Sequence, residues 1–520
     1  MTSISKTNMS TLPHLLKTGV ENTPDKTAII YQEKEYRYRY LQEKIDQLIA
    51  GFARKLHLEK GDVLAIQSSN TIEYVLTLLA SWRAGVVLTP LNPALKPDEI
   101  QYQLNNSEAK AFIYEGYVEE KAIKALEQCE RPIQSICFGK EKHQADHSFE
   151  ALFCDNPPVL PHVSEDDLAL IIYTSGTTGK PKGVLLTHHN FMVMADMSIE
   201  ALQLTERDRS FLILPLFHVN AIMFTLTAVL MKGGSVVINK RFDVDEFLPA
   251  VDRYQPTFTS GVPTVYRMLA NLPEGIEKNY NLSSMRFGIC GAAPVSVQLF
   301  KQFESRYPFK LIEGWGLSEG TTASTLNPLD GKRKVGSIGK AMKGQEIKVV
   351  DHDGKEIPTG EKGELIVRGA NVMKGYYKRE DETKKTLKDG WLYTGDIGYQ
   401  DEDGFYYIVD RKKDMIIRGG MNIYPKQIEE VLYQLPGVLE VAVIGVPDEK
   451  YGEEVEAFVV QKEGYSLTEA EVKEFCQRKM ANYLCPKRVH FIDSLPKNSV
   501  GKITKGVLRD LRKHQSFNSD

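Results

Sequence analysis

A buried strand, a helix and a second buried strand follow one another between residues 62 and 90 of this 520-residue chain, and no other feature constrains its fold as tightly. Asp62-Val-Leu-Ala-Ile-Gln67 is an apolar run of strand length. Ile72, Val75, Leu76 and Leu79 then recur at helical spacing, Gly85 ends the helix, and Val86-Val-Leu-Thr-Pro90 reads as the next strand. Strands joined by a helical crossover run parallel, so the unit predicts a parallel sheet covered by helices. The same rhythm returns at 236–239, 257–261, 286–290 and 311–313, and no 20–50-residue repeat interrupts it.

The texture changes after about residue 330. Gly, Asp and Lys become frequent and the strands shorten, at 346–350, 363–368 and 405–409, which predicts a β-rich piece with hairpins. Asp410-Arg-Lys-Lys-Asp414 is a charged break between two apolar runs and reads as a linker. The last hundred residues read as a small α+β unit. Ile428, Val431, Leu432 and Leu435 form one helix face stopped by Pro436-Gly437, and Thr468-x-x-Glu471 is a capping box. Val455, Ala457 and Val459 alternate with Glu454 and Glu456, which predicts a half-exposed strand. The fold class expected is α/β, with a large N-terminal part, a β-rich subdomain and a small α+β C-terminal domain.

Composition excludes several classes. The net charge is -4, with no basic tail, so nucleic-acid binding is not expected. The longest apolar stretch, Ala221-Ile-Met-Phe-Thr-Leu-Thr-Ala-Val-Leu-Met231, is too short to span a bilayer and reads as a buried helix, and no signal peptide is evident. Six scattered cysteines form no Cys-x-x-Cys pair, so neither a zinc site nor a disulfide framework is expected, and a cytoplasmic setting is the default.

The chemistry gathers first at Tyr173-Thr-Ser-Gly-Thr-Thr-Gly-Lys-Pro-Lys-Gly-Val184, directly after the apolar run Leu168-Ala-Leu-Ile-Ile172. A strand ending in such a loop offers backbone N–H groups, hydroxyls and cations together, as a polyphosphate requires, and its hydroxyls suit magnesium. The spacing is not that of a Walker A loop. A solvated turn is the plain alternative.

This segment resembles the phosphate loop of the adenylate-forming (ANL) superfamily: acyl-CoA synthetases, peptide-synthetase adenylation domains and luciferases. Four more segments match in the family's order: Gly314-Trp-Gly-Leu-Ser-Glu319, Tyr393-Thr-Gly-Asp396, Asp410-Arg-Lys-Lys-Asp414 with Gly419-Gly420, and Pro496-Lys-Asn-Ser-Val-Gly-Lys502. Phe217-His-Val-Asn220 and Val409-Asp-Arg-Lys-Lys-Asp-Met-Ile416 are most similar to the fatty acyl-CoA synthetase branch. The resemblance spans nearly the whole chain. It implies an adenylation domain at 1–410 and a mobile domain at 411–520, with a hinge at Lys413.

The reaction so implied has two halves. A carboxylic acid attacks the α-phosphate of ATP, giving acyl-AMP and pyrophosphate, and a thiol, usually of coenzyme A, then takes the acyl group. The resemblance implies that Thr174, Ser175, Gly176, Thr177, Thr178 and Lys182 grip the β- and γ-phosphates. It implies that Glu319, with Thr174, holds Mg2+, that Ser318 donates to the α-phosphate, and that Trp315, beside Gly316, stacks on adenine where the family usually has Tyr. Gly291 and Ala292 would border the nucleotide, Asp396 would bind the ribose hydroxyls, and Arg411 would add a cation. Lys502 would stabilise charge at the reacting carboxylate and phosphate. Gly419 and Gly420 would admit the pantetheine arm.

The acyl pocket is expected around His218, read as a gate, with Val219 and Asn220 where amino-acid adenylation domains carry Asp. Gly261, Val262, Gly288, Gly291 and Ala292 are expected to leave room for a chain. Ile222 stands where some long-chain members place Trp. A carrier-protein thiol is the alternative acceptor, disfavoured by the short path from Asp396 to Arg411; an aryl or short-chain acid and a homodimer stay open. A luciferase-like oxidase shares all five motifs. A dead nucleotide-binding scaffold is disfavoured because Glu319, Asp396 and Lys502 are all present.

Overall fold

The structure is a computed structural model that describes residues 11–174, 180–291, 295, 297–497 and 503–516. By internal packing the chain divides into two units, one of residues 1–347 with 367–393, the other of 348–366 with 394–520.

In the first unit the segment at 62–90 folds as expected. The Thr71 side chain accepts the Tyr74 N–H and starts the helix Ile72–Ala84; Gly85, at φ +70°, ends it in the left-handed region that favours glycine. The flanking strands Val63–Gln67 and Val87–Leu91 pair in parallel from Val63↔Val87 to Gln67↔Leu91. They lie inside a mixed sheet in the order Gly375–Tyr376, Lys182–Thr187, Leu168–Thr174, Val87–Leu91, Val63–Gln67, Ala111–Glu115, Gln134–Phe138, His147–Ser148. Both faces of its central strands are buried. The antiparallel pairing of Lys182–Thr187 with Leu168–Thr174 departs from the parallel-sheet expectation because the phosphate-loop segment joins neighbouring strands as a hairpin rather than through a helix.

The second sheet has six consecutive parallel strands: Lys310–Trp315, Phe287–Cys290, Phe258–Gly261, Arg209–Leu212, Ser235–Ile238 and Thr27–Tyr31. Four of these are the strands expected from the repeated rhythm. The run 221–231 is buried throughout, as expected, but its first part, Ala221–Thr227, is a π-helix that only then continues as the α-helix Ala228–Met231. Such π segments are frequent at functional sites. Among the described residues no helix is long and apolar enough to cross a membrane.

The expected short strands are present as Gln345–Val350, Gly363–Gly369 and Tyr406–Arg411, the first two running across the boundary between the units. The second unit carries a sheet of Met421–Ile423, Ile416–Arg418, Gly452–Gln461 and Val438–Asp448, with Arg488–Phe491 parallel to Gly452–Gln461. The capping box at Thr468 and Glu471 is present, with Thr468 N–H donating to the Glu471 carboxylate at 2.7 Å. The half-exposed strand expected at 454–459 is instead buried on both faces. The helix Lys505–Ser516 covers the polar side, placing Leu508 with Ala442, Ile444, Phe458 and Val460. Glu454 is paired by Arg418 at 3.0 Å, and Glu456 by Arg512 at 2.6 Å and His490 at 2.7 Å. Burial alone would raise the Glu456 carboxyl, but these bonds outweigh it and hold it down at about 2. A buried carboxylate survives only when so partnered.

Candidate active site

The C-terminal ends of parallel strands are where open α/β sheets bind ligands, and most of the expected residues of the first unit stand there. The hairpin Leu168–Thr174/Lys182–Thr187 sets Thr174 directly opposite Lys182. Ser175, Gly176, Thr177 and Thr178, between them, lie outside the described residues, as do Ala292 and Lys502. Lys180 sits over the Tyr102 ring at 5.3 Å.

Lys182 and Glu319 are joined through a residue the sequence reading missed. The Lys182 ammonium lies 5.1 Å from the centre of the Tyr376 ring, and the Tyr376 hydroxyl donates to Glu319 Oε1 at 2.8 Å. Burial, then the Glu319 charge, raises the Tyr376 phenol, so it stays a donor. Lys182 also forms an ion pair with Glu382.

A strap at 370–377 holds this cluster. Tyr376 pairs with Val184 and Gly375 with Leu185, while Met373 N–H donates to Glu319 C=O at 2.8 Å. Asn371 donates to Gly320 C=O at 2.8 Å and its own C=O accepts from the Thr321 hydroxyl. Asn190 donates to the C=O groups of Ala370 and Val372. The turn so gripped is unusual: Thr321 has φ +53° and Thr322 φ +111°, costly for non-glycine residues and the kind of strain that collects at functional sites. Upstream, Trp315 ends its strand half-buried, opposite Thr325. Gly316 must be glycine, since a Cβ there would sit 2.1 Å from Thr322 O. Ser318 opens the short 3-10 turn that contains Glu319.

Around the expected acyl pocket, His218 packs on Phe217 with ring centres 4.2 Å apart, and its Nε2 is buried with no hydrogen-bond partner among the described residues. Burial pulls its imidazole down to about 4, so it is neutral at neutral pH. The preceding loop is fixed by Asn70, another residue missed in the sequence, whose side chain donates to Leu214 and Asn239 C=O and accepts the Leu216 N–H. Asn220 accepts from the Ser260 hydroxyl at 2.9 Å, and Ile222 is fully buried.

The expectation that Gly261 and Gly288 leave room for a chain is overturned. A Cβ on Gly288 would lie 2.8 Å from the Tyr266 hydroxyl, and one on Gly261 would lie 3.1 Å from that ring. Tyr266 is fully buried and donates to Ile289 C=O at 2.7 Å. The two glycines accommodate Tyr266, so Gly288→Leu is expected to destabilise the fold by about 1–3 kcal/mol or more rather than to select shorter acids. Chemical denaturation checks this: unaltered stability with a shifted acid preference would restore the tunnel reading. Gly291 caps the adjacent strand with its Cβ position 3.0 Å from Gly314 O, another close backbone approach.

In the second unit Asp396 and Arg411 face each other across a strand pair, with Arg411 Nε 2.8 Å from Asp396 Oδ1. Asp396 is buried and Arg411 is near 38% exposed, so the carboxylate is positioned and the guanidinium is accessible. Lys413 is exposed between two anchored acids: Asp410 accepts the Lys426 N–H at 2.8 Å, and Asp414 pairs with Arg509 at 2.9 Å. Gly419 and Gly420 form the tip between strands Ile416–Arg418 and Met421–Ile423, at φ +57° and +81°, and a Cβ on Gly420 would meet nothing within 4 Å.

The family model for AMP-binding enzymes matches residues 16–377, well over half of the chain. The chain belongs to the AMP-binding enzyme family. A second family model, for the C-terminal domain of AMP-binding enzymes, matches residues 427–502. This AMP-binding enzyme is 34% identical to the long-chain-fatty-acid–CoA ligase of Bacillus subtilis (strain 168), over 95% of this chain and 93% of that one. It is 36% identical to the feruloyl-CoA synthase of an Amycolatopsis species, over 94% and 96% of the two chains. Among solved structures, ATP-bound MatB from Rhodopseudomonas palustris superposes with TM-score 0.88 at 32% identity, covering 96% of this chain and 99% of that one. The o-succinylbenzoate CoA synthetase (MenE) of Bacillus subtilis, holding its acyl-adenylate intermediate, superposes with TM-score 0.85 at 30% identity, covering 96% and 97%. The adenylate-forming resemblance and the α/β fold class with a small C-terminal domain are borne out.

Proposed function

We propose that this AMP-binding enzyme is an ATP-dependent acyl-CoA synthetase that activates a fatty or related hydrophobic carboxylic acid. The carrying observation is the linked cluster Lys182–Tyr376–Glu319, which holds a cation and a carboxylate in one frame beside the phosphate-loop hairpin. A carboxylate oxygen of the acid attacks the α-phosphorus and pyrophosphate leaves; the coenzyme A thiol then attacks the acyl carbon and AMP leaves.

In this reading Lys182, Thr174 and the loop after it grip the β- and γ-phosphates. Glu319 and Thr174 offer the hard oxygens that Mg2+ prefers, and the ion would supply neutralisation of phosphate charge. Trp315 offers a flat face to adenine, and Ser318 a hydroxyl to the α-phosphate. Asp396 accepts from the ribose hydroxyls while Arg411 balances its charge. Lys502 places its cation where negative charge builds. His218 borders the acyl chain; its neutral ring carries no charge into an apolar pocket. We assign the pivot to Lys413, with 1–410 and 411–520 as the moving parts, since Lys413 is exposed and Asp414 just after it is tied to Arg509 of its own part; the bond from Lys426 N–H to Asp410 crosses the pivot and must open when it turns. Gly419 and Gly420 then serve the thiol step: both have positive φ, Gly419 is held by its N–H to Tyr451 C=O, and the open surroundings of Gly420 leave its backbone accessible to pantetheine.

An aryl-acid substrate is the second reading, favoured by the 36% identity to a feruloyl-CoA synthase. The test is a panel of saturated fatty acids of graded length with ferulate and benzoate, each with ATP, magnesium and coenzyme A. Acid-dependent AMP and pyrophosphate in equal amounts, with a matching acyl-CoA, is the expected result. ADP with inorganic phosphate would sink the proposal, and preference for ferulate would move it to the aryl reading.

A further inference from the structure

Lys182, the expected phosphate-gripping cation, is occupied by a carboxylate of its own chain. We propose that Glu382 is a positioning residue that neutralises Lys182 while no polyphosphate is bound and yields it when ATP enters. This rests on the assignment of Lys182 to the β- and γ-phosphates.

The pair is an ion pair between half-sheltered groups, with side-chain exposures of 16% for Lys182 and 24% for Glu382. It is thus not one of the fully solvated pairs that contribute almost nothing. Its geometry is built in from the backbone. Glu382 lies on the short helix Glu380–Thr386, and Thr383 of that helix accepts the Tyr376 N–H at 2.9 Å and donates to Arg379 C=O at 2.9 Å. Tyr376 in turn pairs with Val184, two residues from Lys182. The carboxylate is therefore held at a fixed reach from the ammonium.

Release is also provided for. Arg379 stands 3.7 Å from the second carboxylate oxygen, so Glu382 keeps a cation when Lys182 turns away. Lys182 keeps the Tyr376 ring. A carboxylate and a polyphosphate compete for the same ammonium donors, and repel each other if both approach it. AMP lacks the β- and γ-phosphates and does not compete. Glu382 therefore weakens ATP selectively, and reclaims Lys182 once pyrophosphate has gone.

The test measures binding of the full chain to the unreactive α,β-methylene analogue of ATP, with magnesium, and separately to AMP, by calorimetry. Glu382→Gln is expected to tighten the ATP analogue by about threefold to tenfold, the scale of a partly sheltered ion pair, and to leave AMP unchanged. Glu382→Ala should act in the same direction. In a Lys182→Ala background, Glu382→Gln should have no effect. Unchanged or weaker binding of the analogue by both Glu382 variants, or equal tightening of AMP, overturns the proposal. If Lys182→Ala weakens the analogue while Glu382→Gln does nothing, only the role of Glu382 fails. If Lys182→Ala leaves the analogue unaffected, the phosphate assignment of Lys182 fails and this proposal with it.

Discussion

Lys502→Ala is expected to lower acid-dependent ATP–pyrophosphate exchange by about two to three orders of magnitude, the scale for losing one preorganised electrostatic contact. It should leave thioester formation from supplied acyl-AMP largely intact. The residue follows Pro496-Lys-Asn-Ser-Val-Gly501, and its described neighbours Lys497 and Ile503 form an antiparallel bridge just before the helix Lys505–Ser516. That helix is itself anchored, with Lys505 paired to Glu429 at 2.8 Å. These described contacts do not involve the Lys502 side chain, so its loss need not unfold the unit. Gly420→Leu should have the opposite pattern. At φ +81° a leucine is strained and fills the open space at this strand tip, so on the proposed assignment of Gly420 to the thiol step, transfer from acyl-AMP is expected to fall while exchange persists. If both variants depressed both assays equally, the alternating use of the two segments, and the pivot at Lys413, would be wrong.

Glu319→Gln is expected to lower adenylation by about two orders of magnitude and to raise the magnesium concentration needed for half-maximal rate. The Tyr376 hydroxyl can still donate to the amide oxygen, and the strap holds Glu319 by its backbone C=O, so thermal stability should change little. The pairing of those two readouts distinguishes a functional carboxylate from a structural one. Normal adenylation with an unchanged magnesium dependence would remove Glu319 from the site; a large loss of stability would make its role structural.

The sequence made visible what depends on neighbouring residues. The βαβ unit at 62–90 was legible because its strands are apolar on both faces and Gly85 marks the helix end. Thr174, Lys182 and Glu319 stand out as candidates because each sits inside a dense motif. What escaped depends on contacts remote in the chain. Tyr376 belongs to a two-residue strand whose partner lies near residue 184, and nothing in Gly375-Tyr376 by itself announces that pairing. Glu382 looks like one more acid in Arg379-Glu-Asp-Glu382 until its ion pair with Lys182 is seen. Glu454 and Glu456 alternate with apolar residues as a solvated face would, but their cations come from Arg418 and from Arg512. Gly288 suggested empty space that Tyr266, on another element, fills.

The central claim is that the acid's own oxygen attacks the α-phosphorus, and 18O-labelling tests it most directly. A carboxylic acid labelled at both oxygens, turned over with ATP, magnesium and coenzyme A, should yield AMP carrying one 18O and pyrophosphate carrying none. Label in pyrophosphate or inorganic phosphate, or unlabelled AMP alongside labelled acyl-CoA, would contradict the account.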